Sequence, residues 1–121
     1  MVDDILEIEN GIEDFSYPKF FVEIIKMNFL DYGDWYLMNK NQILIRKEGL
    51  NDRYPNRKLI PFARRDDNDD IACFDLDCVE KVFIIHDFSS EGYESRGEFD
   101  NFKSWLICTI GEYLKIEVNE D

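Results

Sequence analysis

Apolar residues recur along this chain in two periods, and the change of period divides it into helices and strands. Phe20, Phe21, Ile24, Ile25 and Met27 recur at helical spacing, with Lys19, Glu23 and Lys26 opposite them. This predicts an amphipathic helix over residues 18–28, with Ser16 as a cap and Pro18 in its first turn. A second helix is predicted from Glu98 to about Tyr113, with Phe99, Phe102, Leu106, Ile110 and Tyr113 on one face and Trp105 beside them. Gly111 weakens its end by about 1 kcal/mol relative to alanine. Between these helices the apolar runs are short, β-branched or aromatic, and bounded by Asp, Asn or Pro. That is a strand pattern, read over 59–63, 71–75 and 81–88. Pro61 cannot donate to a ladder, so its strand lies at an edge or carries a bulge. In the third strand Val82, Ile84, His86 and Phe88 share one face, and Phe83 and Ile85 share the other. Both faces are largely apolar, which predicts a central strand covered on both sides.

The remaining segments are less periodic. Ile5, Ile8, Ile12 and Phe15 fit one helical face, but Asn10-Gly11 interrupts it, so residues 1–15 read as a short or frayed helix. Residues 35–38 fit a strand or the approach to a helix. Residues 41–54 fit both periods. Helix is preferred there, because it leaves Arg46, Lys47 and Arg53 in water and stops before Pro55. The knot Asp66-Asp67-Asn68-Asp69-Asp70 is too polar to bury and reads as a loop, as does 89–93. The acidic tail 116–121 reads as frayed.

With 121 residues, 45% of them hydrophobic and 15% aromatic, the chain fits a single domain, 1–121, with one core. Its 27 acidic and 14 basic residues give a net charge of −13. A field of that sign repels phosphate backbones and anionic membrane surfaces, so neither nucleic acid nor membrane is an expected partner. It favours a basic protein partner and speeds encounter with one. It also keeps a small domain soluble, as a monomer or weak homodimer. The three cysteines form no motif, and Cys73 and Cys108 sit in apolar runs where a thiol behaves as a small hydrophobe. No secretory leader opens the chain, and no apolar run reaches the roughly 20 residues that span a bilayer. The expected setting is the cytoplasm, with reduced thiols.

The candidate chemistry is sparse. His86 and Asp87 are neighbours on a strand and point to opposite faces, so they make no catalytic pair. A Cys73–His86 pair across neighbouring strands would lie inside a core-facing run with no oxyanion site beside it. The Asp66–Asp70 knot offers four carboxylates to a hard cation, but lacks the spacing and the glycine of an EF-hand, and Arg64 and Arg65 stand beside it. No catalytic residue, cofactor or metal is expected. The competing enzymatic reading is a metal-dependent hydrolase that uses this loop and His86.

Two stretches resemble a known family. One is Tyr54-Pro55-x-Arg57-x-Leu59-Ile60-Pro61-Phe62-Ala63, followed by the Asp-rich turn and Ile71-Ala72-Cys73-Phe74-Asp75. The other is His86-Asp87-Phe88 through Gly92-Tyr93 to Phe102-Lys103-Ser104-Trp105-Leu106. Together, over roughly residues 54–106, they resemble the SUKH superfamily, the Smi/Knr-like domains. The family's opening Leu-Pro-x-x-Tyr has only Tyr17-Pro18-x-x-Phe21 as a counterpart, and the connecting turn has no glycine. The chain thus looks like a short, divergent bacterial-type branch.

The resemblance implies an α+β fold, a twisted and mainly antiparallel sheet with helices around it, and a non-enzymatic role. Bacterial members look like immunity proteins that neutralise a toxin, often a nuclease, and fungal relatives act as regulatory scaffolds. An immunity protein of this charge is expected to bind through an acidic, aromatic-studded patch. The loops that follow the first and third predicted strands emerge at one end of such a sheet. They nominate Asp66, Asp67, Asp69, Asp70, Glu91 and Glu94 for charge and Tyr93 as an anchor.

Overall fold

The computed structural model describes residues 2–119, with side chains from 4 to 114. The chain runs α1 (Val2–Leu6), a 3-10 turn (Glu7–Gly11), α2 (Lys19–Lys26), β1 (Trp35–Leu37), α3 (Lys40–Arg53), β2 (Leu59–Arg65), β3 (Asp70–Asp75), β4 (Val82–His86), β5 (Ser95–Phe99) and α4 (Phe102–Asn119). The five strands form one antiparallel sheet in sequence order. The fold class is α+β, as expected, with two more strands than the periodicity showed.

The sheet's alternation divides the single core between its two faces. Phe62 and Phe74 stack at 4.5 Å on one face, where Phe21 of α2 and Phe102 and Trp105 of α4 meet Phe62 edge-on. Phe62 occupies this place because β2 is bulged there. Pro61 pairs with Cys73 and Ala63 with Ala72, so Phe62 is the extra residue. β2 lies between β1 and β3, but β1 pairs only with Ala63–Arg65, so Pro61 sits beside the bulge and opposite β3 alone, where its missing N–H breaks no ladder to β1. Ile71, Cys73 and Ile85 point to the other face and are fully buried, under α3 with its buried Ile43, Leu50 and Tyr54. A second bulge, at Arg96, breaks the register between Ile84 and Ile85. Val82 and Ile85 are buried while Phe83 and Ile84 are half-buried, so coverage of β4 is uneven.

Several boundaries differ from expectation for identifiable reasons. Pro18, not Ser16, is the residue before the first turn of α2, and no side chain caps it. Asn28 takes φ 58° and ends that helix, leaving Met27 outside the core at 69% exposure. Residues 41–54 are helical because Asn39 and Gln42 form a reciprocal capping box, with both bonds at 2.9 Å. The last helix begins at Phe102, not Glu98, because the Asn101 side chain accepts the Ser104 N–H at 2.8 Å. Phe99 belongs to β5. The N-terminal segment is docked rather than frayed, with Ile5, Ile8 and Phe15 buried. α4 runs on through residues 116–119, and the rest of the expected frayed tail, 120–121, lies outside the described residues. Cys108 is exposed on the outer side of α4, contrary to the reading of it as a core thiol.

Candidate protein-interaction face

The meander brings the two nominated loops together. The β2–β3 loop and the β4–β5 loop emerge at the same end of the sheet and are tied by main-chain bonds. Asp87 N–H donates to the Asp69 carbonyl at 3.0 Å, and Asp66 N–H donates to Asp34 in the turn before β1 at 2.9 Å. His86 N–H reaches the Glu94 carbonyl at 2.8 Å, closing the second loop on itself.

The carboxylates on this face fall into two groups. Asp66, Asp67 and Asp69 are exposed at the hairpin tip, and Glu91 is exposed on the neighbouring loop. Asp67 is held by Arg65 through bonds of 2.7 and 2.9 Å, and Asp34 joins the same guanidinium at 3.4 Å. The Arg65 hydrogen bond draws the Asp67 carboxyl below its ordinary pKa. Arg65 thus neutralises part of the knot. Arg64, on the opposite face of β2, forms no ion pair among the described residues. Asp70 is half-buried at the start of β3, 2.8 Å from His86 Nδ1.

Glu94 does not belong to the charged surface. It is buried, with Oε2 accepting from Arg57 at 2.9 Å and Oε1 accepting from Gly92 N–H at 2.7 Å. Burial pushes its carboxyl up, but the hydrogen bonds from Arg57 and the loop backbone outweigh it, and the net direction is down. A depressed carboxyl contributes stability that is complete above the ordinary glutamate pKa and is lost as pH falls through the lowered one. The difference in melting temperature between the parent chain and Glu94→Gln is therefore expected to hold steady near neutral pH and to shrink in acid. A melting series over about pH 7 to 3 checks this; a gap that widens in acid contradicts the assignment.

Tyr93 stands 80% exposed beside Gly92, which takes φ 96° to turn the loop. Phe88, expected on a covered face of the strand 81–88, lies instead past the end of β4 on this same loop and is 58% exposed, because the strand stops at His86. Its supports were not read as a site. The Asp87 side chain is fully buried, and its carboxylate accepts from Arg53 at 2.7 and 2.8 Å and from Arg46 at 3.2 Å. Arg46 and Arg53 are not in water as expected: α3 packs along β2, and both side chains reach Asp87 just past the end of β4. Tyr54, the next residue along, donates its hydroxyl to the Ser89 carbonyl at 2.7 Å and fixes the loop from beneath. The only sequence signal for this cluster is the i, i+7 spacing of the two arginines on one helical face.

The Cys73–His86 pair does not form. Cys73 pairs with Phe83 across the ladder, on the face opposite His86, and burial pushes its thiol pKa well up. Among the described residues no group of three or more His, Cys, Asp or Glu side chains is placed to hold a metal ion. Among the same residues no helix is long and apolar enough to cross a membrane. No protein-family model matches the chain, and neither a curated protein nor a solved structure does.

Proposed function

We propose that this chain is a non-enzymatic, cytoplasmic protein-binding module of SUKH type, an immunity protein that neutralises a basic toxin domain, such as a nuclease, by direct contact. The observation that carries the reading is the union of two acidic loops at one end of the sheet with an exposed Tyr93 among them. A net charge of −13 steers a basic partner to this domain and opposes self-association, which fits a monomer or weak homodimer. An enzyme would instead need convergent groups around a reacting atom, and the loops present carboxylates that are splayed outward or tied to arginines.

This reading expects a toxin-like domain to be encoded beside the gene, and the test is surface plasmon resonance against that domain. Rim charges act on encounter and central aromatics on lifetime. Asp67→Asn with Asp69→Asn is expected to slow association by roughly 3–10-fold at low salt with little change in dissociation. Tyr93→Ala is expected to speed dissociation by roughly 10-fold or more. Unchanged rates in both variants would move the interface to another part of the domain.

A further inference from the structure

Phe88 combines two features that a folded chain normally avoids. It is a large apolar side chain exposed at 58%, and it takes φ 69°. Among the described residues the other non-glycine residues with positive φ are Asp14 and Asn28, residue types that tolerate the left-handed region. Phenylalanine gains nothing there, and glycine or asparagine would form the same turn with less strain. Among the described residues no other large exposed apolar side chain takes a positive φ; Ile45 and Ile107, for example, sit in ordinary helical backbone.

The strained residue is firmly held. Asp87 Oδ1 accepts the Phe88 N–H at 2.9 Å, and the same buried carboxylate anchors Arg53 and Arg46. The Arg53 guanidinium lies 4.2 Å from the Phe88 ring centroid and that of Arg46 lies 5.4 Å away. One side of the ring is thus stacked on cations already paired with Asp87, and the rest faces outward. Asp69, bonded through its carbonyl to Asp87 N–H, and Glu91, three residues on in the same loop as Phe88, are both exposed. Strain kept at a surface position and supported from beneath marks a binding element, and a fixed ring loses little freedom on docking.

We propose that Phe88 is the central anchor of this face, held outward by the Arg46–Asp87–Arg53 cluster to enter an apolar pocket with a basic rim on a partner protein. The proposal rests on the reading of this end of the sheet as a protein-binding face. It adds that α3, through its two arginines, sets the geometry of the anchor.

The experiment places the photo-crosslinking residue p-benzoylphenylalanine at position 88, at 93 or, as a control, at 107, in cells that make the chain from its own gene. The captured protein is then purified and its affinity measured for the parent chain and for Phe88→Asn. The expected result is one basic protein captured from 88 and 93 but not from 107, with affinity lowered about 30-fold or more by Phe88→Asn. Asparagine tolerates the left-handed backbone, so the melting midpoint of the free variant is expected to stay level or rise. Capture from 93 with unchanged affinity in Phe88→Asn would overturn the role of Phe88 and leave the face standing. No capture from either loop position would overturn both. A captured partner with an acidic contact surface, or a midpoint lowered by more than about 5 °C in Phe88→Asn, would also overturn the proposal, the latter by showing that the ring holds the fold together.

Discussion

Replacing Asp87 with alanine is expected to remove about 3–5 kcal/mol of stability, among the largest losses from any single polar substitution in this chain. The carboxylate is fully buried and serves three donors at once, Arg46, Arg53 and the Phe88 N–H. Truncation leaves both guanidiniums half-buried without a counter-ion and orphans a main-chain donor. The arginines are 21% and 29% exposed, so partial escape to water holds the loss toward the lower end of that range. Asp87→Asn keeps the shape and one acceptor, and is expected to cost about half as much. Urea unfolding of Asp87→Ala, Arg53→Ala and the double variant checks the account, with a coupling of at least about 1.5 kcal/mol expected. A loss below about 1 kcal/mol for Asp87→Ala would show that the loop is held by Tyr54 and main-chain bonds alone. Because Asp87 positions the loop that carries Phe88 and Tyr93, the same variant is expected to bind partner poorly even under conditions where it is folded.

The fold was legible where a segment's own pattern matched its surroundings. The runs 59–63 and 71–75 became strands because β-branched and aromatic residues there meet buried neighbours on both faces. The ambiguity of 41–54 was resolvable from Asn39-x-x-Gln42, a capping signature two residues upstream of the stretch considered. β5 was not legible. Ser95-Arg96-Gly97-Glu98-Phe99 lacks alternation and is mostly exposed, and it is a strand only because β4 offers it a main-chain partner. The helix predicted from Glu98 absorbed it, since Phe99 happens to fit the helical spacing of Phe102 and Leu106.

The candidate site was legible only in part, for an electrostatic reason. In a chain with 27 acidic residues, sequence does not separate a carboxylate that faces water from one that anchors the fold. Asp66, Asp69 and Glu91 are of the first kind. Asp87 and Glu94 are of the second, each defined by arginines more than 30 positions away in sequence. The convergence of the two loops followed from strand order, which antiparallel hairpins constrain strongly. The role of Phe88 did not follow, because its exposure depends on a left-handed backbone that its residue type argues against.

The aromatic core sets the other large effect. Phe102→Ala is expected to cost about 3–5 kcal/mol. Phe102 is 1% exposed at the first turn of α4, and its ring lies 5.2–6.3 Å from the rings of Phe20, Phe21, Phe62, Phe74 and Trp105. Those neighbours come from α2, β2, β3 and α4, so collapse around the vacancy would need several elements to move together, and most of the cavity term persists. Alanine is a good residue in a helical first turn, so almost none of the loss is helical propensity. Phe20→Ala is the matched control. It removes a ring from the same cluster that is already 40% exposed, and a loss of about 1 kcal/mol or less is expected. Urea unfolding of both variants tests the placement of the core, and a Phe102→Ala loss below about 1 kcal/mol would make α4 peripheral. Below its melting range Phe102→Ala is expected to bind partner with rates close to those of the parent chain. Its site lies on the face of the sheet covered by α2 and α4, and the Asp87 cluster that shapes the loops is supported by α3 on the other.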